Sequence, residues 1–272
     1  MSYLLYLYCV VEAGSGAHAK LQQRSVPGFE PNEPLFAVEA EGLVGAVSHV
    51  PEDTFQEGPL NALLTQLPKI APYAVRHHEA IAALLSSAPA MIPMTLGAVY
   101  RSPEKVRELL TERGPEFRSL LGHLKGKREW GIKVFANTRQ VIQAADSQSD
   151  VLRSLEAEAS KESPGKAYLL RKQKERLVGA EADKLLARTL EAVLAKLTAF
   201  AVDVRMDPLP DNGTTSPKLV LKTALLLKDG SLGALQDLMA ELGQAYGGRG
   251  LSFELDGPWA PYSFVGDRRV TA

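Results

Sequence analysis

The 272-residue chain has one cysteine, Cys9, and two tryptophans. A lone cysteine excludes an internal disulfide and a thiolate zinc site, and it suits a reducing compartment. Neither charge sign dominates, with 31 Lys and Arg against 32 Asp and Glu. A nucleic-acid binder normally carries a strong basic excess, so the balance argues against that class. Long hydrophobic runs are also missing. The apolar opening, residues 1–11, stops at Glu12, well short of the roughly 20 residues that span a bilayer. It has neither a basic leader region nor a small-residue cleavage site, so the expectation is a cytoplasmic protein without a targeting segment or membrane contact. What the chain does have is 45% hydrophobic and 23% charged residues, enough apolar surface to offset chain entropy and exclude wholesale disorder. The length predicts two domains.

The charge is unevenly spread. Residues 1–100 hold nine acidic and four basic groups, residues 101–133 hold five acidic and nine basic, and the remainder is balanced. The basic band contains Lys125, Lys127, Arg128 and Lys133. It reads as a solvated helix face and turn, or as a docking surface for an acidic partner, with Lys127 and Arg128 as candidate contacts.

Residues 4–11 form a continuous apolar and aromatic run that predicts a central strand buried on both faces. Residues 14–34, with Gly14, Gly16, Pro27, Gly28, Pro31 and Pro34, predict a long loop. Residues 35–38 and 43–50 flank Gly42 as a hairpin. After a short helical stretch from Pro51, Pro68 and Pro72 set off a helix over 73–87 with Val75, Ile81, Ala82, Leu84 and Leu85 on one face. A fourth strand covers 91–100. Ser102-Pro103-Glu104 is a helix start, Gly114-Pro115 breaks that helix, and Gly126 ends its continuation. Residues 130–135 alternate as a strand. This order predicts an α+β fold in which an antiparallel sheet carries helices on one face, a ferredoxin-like layout modified by a hairpin.

From Thr138 the pattern turns helical, with one segment over 138–160 and a longer one beyond Pro164-Gly165. Leu177, Leu186, Leu190, Val193, Leu194, Leu197 and Phe200 make the second segment apolar, and from Leu186 through Leu190, Val193 and Leu197 to Phe200 they recur at steps of four and three. Strands at 201–206 and 219–227 follow, joined through a polar loop with Asn212-Gly213. A helix over 231–246 stops at Gly247-Gly248, and a last strand covers 251–255. The predicted domains are 1–137, ferredoxin-like, and 138–272, an α+β unit with long helices and an aromatic, proline-rich tail.

The motifs that resemble chemistry fail on context. Gly14-Ser15-Gly16-Ala17-His18-Ala19 follows a strand, and Glu39 lies about 20 residues on, as in a dinucleotide fold. That fold also needs a crossover helix aimed at the pyrophosphate, and the prolines leave no room for one. Gly122 to Lys127 has three residues between its glycines where a phosphate loop has four, and no Ser or Thr follows the lysine. His77 and His78 are adjacent, about 100° apart on a helix, and cannot easily share a metal ion. They read as surface or half-buried side chains. His18, His49 and His123 are isolated, and Cys9 reads as a small core residue. No nucleophile elbow is present. No catalytic residue, cofactor, metal or small-molecule substrate is expected.

One cluster stands out. Residues 256–265 carry Trp259, Tyr262 and Phe264 on a segment stiffened by Pro258 and Pro261. It reads either as a tail docked on its own core or as a partner-binding ridge built from Trp259, Pro261, Tyr262 and Phe264.

Four segments together resemble the gas vesicle GvpF/GvpL family: Leu5-Tyr6-Leu7-Tyr8; Pro93-Met94-Thr95-Leu96-Gly97; Glu129-Trp130-Gly131-Ile132-Lys133-Val134; and Gly257-Pro258-Trp259-Ala260-Pro261-Tyr262-Ser263-Phe264. The chain departs from the family's pattern at Ala260, where proline is expected, and at Cys9, where glycine is usual. The resemblance implies two α+β domains and no catalysis. It implies an accessory or minor structural protein needed to assemble gas vesicles, the gas-filled, protein-walled compartments that give cells buoyancy. Its expected location is the gas vesicle. Its expected partners are the apolar shell protein GvpA and other accessory Gvp proteins, met at the gas-facing side or during nucleation. Two competing classes are a ferredoxin-like small-molecule-binding regulator and a nucleotide-dependent enzyme.

Overall fold

The computed structural model describes residues 2–30, 32–210 and 216–266. The chain forms two compact units, residues 1–129 with 258–272, and residues 130–257. The boundary differs from the expected 137/138 in two ways. The strand around Ile132 opens the second unit, and the chain returns to the first unit at Pro258.

In the first unit, β1 (Tyr3–Glu12) is followed by α1 (Gly16–Gln22), β2 (Phe36–Ala40) and β3 (Leu43–Pro51). Helices α2 (Glu52–Phe55), α3 (Glu57–Leu64) and α4 (Leu67–Leu85) lead to the short strands β4 (Ile92–Pro93) and β5 (Val99–Tyr100), then α5 (Pro103–Glu112) and α6 (Gly114–Leu124). The strand order is β2-β3-β1-β4, with β5 also on β1. This is the ferredoxin-like order, and the hairpin is an integral part of it. Glu41 and Gly42 close the hairpin at φ 49° and 79°, the left-handed pair that a two-residue turn of matching twist requires.

Several expectations are corrected. The loop over 14–34 contains α1. Ser15 caps this helix by accepting the His18 N–H, and Ala17 and Leu21 bury its inner face. Helix α4 starts six residues before the expected 73 and absorbs Pro72 in its second turn. Its buried residues include Ile70, His77, Ile81, Leu84 and Leu85, while Val75 is exposed. The strand over 91–100 is two short pieces, because residues 95–97 arch away between Met94 and Ala98, which both still bond to β1. Helices cover both faces of the sheet. On one face, α1 and α4 pack over Leu4, Tyr6 and Tyr8. On the other, α5 lies so close that a Cβ on Gly45 would sit 3.0 Å from Leu7 and 3.2 Å from Val106. That second layer explains why β1 is apolar at every position from Leu4 to Val11.

The second unit contains β6 (Lys127–Ala136), α7 (Thr138–Gln148), α8 (Asp150–Ala159) and α9 (Pro164–Phe200). Strands β7 (Asp203–Met206) and β8 (Lys218–Lys228), helix α10 (Leu232–Tyr246) and β9 (Leu251–Trp259) complete it. The strand order β7-β8-β6-β9 repeats the second-third-first-fourth order of the first unit. The loop containing Asn212-Gly213 lies outside the described residues, as does Pro31. The expected single helix over 138–160 is split at Ser149, whose extended backbone and side chain cap α8 at Leu152, the position serine favours. Val141, Ala145, Val193, Leu197, Leu235 and Leu242 bury the helices against Ile132, Val134, Leu221 and Leu225 of the sheet. Gly131 permits close packing, since a Cβ there would lie 2.1 Å from Asp256 Oδ1.

Candidate functional site

Three of the four distinctive segments meet in the first unit, joined there by Glu129 of the fourth. Alternation along β1 turns Tyr6 and Tyr8 to the same face, and both are fully buried. Their rings lie 4.8 Å apart, and Phe29 stands edge-on to Tyr6 at 4.6 Å. The Tyr6 hydroxyl is 2.9 Å from His77 Nδ1 and accepts the Gly97 N–H at 3.1 Å. His77 Nε2 lies 3.2 Å from the Met94 carbonyl. A carbonyl only accepts, so Nε2 carries the proton and Nδ1 accepts from Tyr6. The arch between β4 and β5 thus supplies one acceptor and one donor to this pair. The Tyr8 hydroxyl meets Ser48 Oγ at 3.0 Å and accepts the Phe29 N–H at 3.1 Å.

Burial sets the charge state of the cluster. It lowers the His77 pKa to about 4, pushes the Tyr8 phenol up to about 12, and holds Tyr6 and Tyr262 well above the ordinary phenol range. All four are neutral near pH 7. Both polar ends of His77 are occupied, and its ring is enclosed by aromatics. The arrangement fixes a backbone geometry and offers no poised base. The expectation of surface or half-buried histidines is corrected for His77, which is 5% exposed. It holds for His78, which is half-buried. The two rings do take separate partners.

The terminal segment lies on this cluster. Trp259 sits 5.0 Å from His78 and Tyr262 sits 6.4 Å from His77, centroid to centroid. Ala260, Pro261 and Phe264 are buried. The buried Glu129 carboxylate fastens the segment, accepting the Ser263 N–H at 2.9 Å and its hydroxyl at 2.8 Å. The docked-tail alternative therefore describes Pro261 and Phe264, whereas Trp259 keeps 37% of its surface exposed. Cys9 and Ala260, the two departures from the family pattern, both pack in this core.

Lys127 and Arg128 are half-buried and engaged. Lys127 donates to the His123 carbonyl, and Arg128 donates to the carbonyls of Ala88 at 3.0 Å and Lys127 at 2.9 Å. Lys125 pairs with Glu12 at 3.3 Å. In the second unit, Lys133 pairs with Asp256 at 2.8 Å.

The glycine-rich segment after β1 does open a helix, and its donors are already used. Gly14 N–H donates to His18 Nδ1 at 3.0 Å, and Ala17 N–H to the Ser87 carbonyl at 3.1 Å. A Cβ on Gly16 would lie 2.8 Å from the Ser87 oxygen. Glu39 lies 3.1 Å from His18 Nε2. Close helix packing accounts for this segment without a phosphate. Among the described residues no group of three or more His, Cys, Asp or Glu could hold a metal ion, and no helix is long and apolar enough to cross a membrane.

A family profile described as gas vesicle synthesis protein GvpL/GvpF matches residues 4–266. Gas vesicle protein L from a Streptomyces species is 32% identical over 232 residues, spanning 82% of this chain and 80% of that protein. Gas vesicle protein L1 from Halobacterium salinarum is 25% identical over 268 residues, 96% of this chain and 90% of that one. The crystal structure of gas vesicle protein GvpF from Microcystis aeruginosa superposes with a TM-score of 0.63 at 19% identity, over 96% of this chain and 98% of that one. That likeness is one of fold.

Proposed function

The chain belongs to the gas vesicle GvpL/GvpF family, and from that premise we propose that it is an accessory or minor structural protein of vesicle assembly that binds the shell protein GvpA and other gas vesicle proteins without catalysing a reaction. Its place is the gas-facing side of the wall or the nucleus from which the wall grows. An apolar shell subunit aggregates unless its sticky surfaces are covered during assembly, and a folded adaptor can cover them.

The observation that carries the binding role is an apolar stripe on the outer face of α4. Leu67 is 78% exposed and Val75 is 56% exposed, and with the exposed Ala71 they recur at helical spacing. His78 continues this face, with Trp259 beside it. An exposed line of this kind marks a surface that a partner covers. The cluster of Tyr6, His77 and Met94 beneath it fixes α4 and the terminal segment as a rigid platform.

Capture of GvpA by the purified chain tests this role. A Leu67→Ser, Val75→Ser double variant is expected to lose GvpA while its melting temperature stays unchanged, because both side chains are exposed. Trp259→Ala is expected to weaken capture. Removing the gene is expected to abolish vesicles in electron micrographs. Normal vesicles in such cells, or turnover of a metabolite by the purified chain, would overturn the proposal.

A further inference from the structure

We infer that a cleft in the second unit, between the start of α8 and the face of α9, binds a carboxylate side chain of a partner peptide through Arg188 and Arg249. The inference deepens the reading above by naming a second partner-binding surface and the chemistry it recognises.

The cleft has a volume of about 390 Å³. Glu181, Lys184, Leu185 and Arg188 recur at steps of three, one and three, which places them on one face of α9. Asp150 and Val151, the first residues of α8, form the opposite wall, and Arg249 contributes from the turn before β9. The wall contains three cationic and two anionic side chains, and both anions are already matched. Glu181 accepts from Lys184 at 2.8 Å and from the Ser149 hydroxyl at 2.7 Å. Asp150 pairs with Arg153 on its own helix.

The arginines are not neutralised in this way. Arg188 makes no hydrogen bond or close ion pair among the described residues, although its charge also acts on Glu181 across the wall. Among the described residues Arg249 donates only to the Thr189 hydroxyl, at 3.5 Å, and it lies over the Tyr246 ring at 5.4 Å. Those contacts position its guanidinium while leaving most of its five donors free. One net positive charge in the wall suits one carboxylate, which two arginines can hold in forked hydrogen bonds. A polyphosphate would bring several negative charges against Glu181 and Asp150. Val151, 48% exposed, and the half-buried Leu185 offer apolar contact beside the charges. The cleft therefore fits a peptide with an acidic residue flanked by aliphatic ones.

The test is a titration of the ¹⁵N-labelled full chain with the amidated peptide Gly-Leu-Glu-Leu-Gly, followed by amide and arginine Nε–H shifts. The signals of Val151, Arg188 and Arg249 are expected to move. A twin peptide with Gln in place of Glu is expected to bind about tenfold more weakly, the loss of a charged hydrogen-bonding partner. Arg188→Gln is expected to weaken binding to a similar degree. Arg171→Gln, which alters an arginine paired with Glu156, leaves it unchanged. Equal binding of the two peptides, or indifference to Arg188→Gln, overturns the inference. So does saturation of the same signals by inorganic phosphate at lower concentration, or their movement when the chain alone is concentrated, which would assign the cleft to a second copy. The titration reads the cleft alone. Peptide binding in a chain whose loss leaves vesicles intact would keep the inference and end the assembly reading.

Discussion

Ser263 closes on the Glu129 carboxylate with both its backbone N–H and its hydroxyl, at 2.9 and 2.8 Å. Glu129 is 7% exposed, and a buried carboxylate needs such donors to offset its lost hydration. The same two bonds hold the terminal aromatics on α4, so stability and the shape of the Trp259 surface are coupled. Ser263→Ala removes one charge-assisted bond and is expected to cost about 1.5–3 kcal/mol. Trp259 fluorescence should shift toward a more solvent-exposed signal, and protease cleavage near residue 260 should accelerate. Unchanged melting and cleavage would show that the clasp contributes little.

His77 gives the fold a definite acid response. Its pKa is about 4 in the folded chain against an ordinary 6.5. Between these values the unfolded chain binds the proton and the folded chain does not. Stability is therefore full above about pH 6.5 and falls as pH drops toward 4, by about 3 kcal/mol from this group. His77→Gln can still accept from Tyr6 and donate to Met94, but it does not titrate. Urea midpoints measured from pH 7 to 4 should fall less steeply in this variant than in the parent chain. Equal slopes would remove His77 as the cause.

Tyr6→Phe tests the arch between β4 and β5. The change leaves the His77 Nδ1 and the Gly97 N–H without their common partner, and two interrupted hydrogen bonds predict a loss of about 2–3 kcal/mol. Amide exchange at Gly97 should speed up more than exchange in α9. A uniform change across both units would contradict a local role.

The second unit allows a paired test. Gly131→Ala places a methyl against Asp256, and the resulting overlap is expected to destabilise by about 1–3 kcal/mol. Asp256→Ala removes the Lys133 ion pair, worth about 1 kcal/mol or less at this half-exposed site. The double variant should be more stable than the sum of the single losses predicts, because the second change removes the obstacle met by the first. Simple additivity would show that the strand relaxes without involving Asp256.

Much of this architecture was legible in local residue patterns. The unbroken apolar run over residues 4–11 announced a strand covered on both sides, and Gly42 announced the turn. Ser102-Pro103 marked a helix start, with Pro103 in the first position although the Ser102 side chain caps no N–H, and the leucine stripe over 177–200 marked a long helix. The inference of one helical layer conflicted with that fully apolar strand, and the strand was the better guide. Helix α1 was hidden by the prolines and glycines after it. Its local signals were Ser15 as a cap and the Ala17 and Leu21 pair one turn apart. The aromatic segment could be recognised from Trp259 to Phe264, but its two alternatives could not be separated, because Ser263 and Glu129 are 134 positions apart. His77 posed the same difficulty. Nothing in His77-His78-Glu79 reveals that Tyr6, 71 positions earlier, reaches the first histidine.

The first unit draws Ala260 and Phe264 into its interior from beyond the entire second unit. During synthesis, a nascent chain halted between residues 101 and 257 therefore displays an unsealed apolar flank over Tyr6 and Tyr8, although every strand of that sheet has already been made. Completion of the earlier-made unit waits on residues 258–264, translated after the whole of the second unit, so an interrupted product is exposed to chaperones and proteases where a finished one is closed.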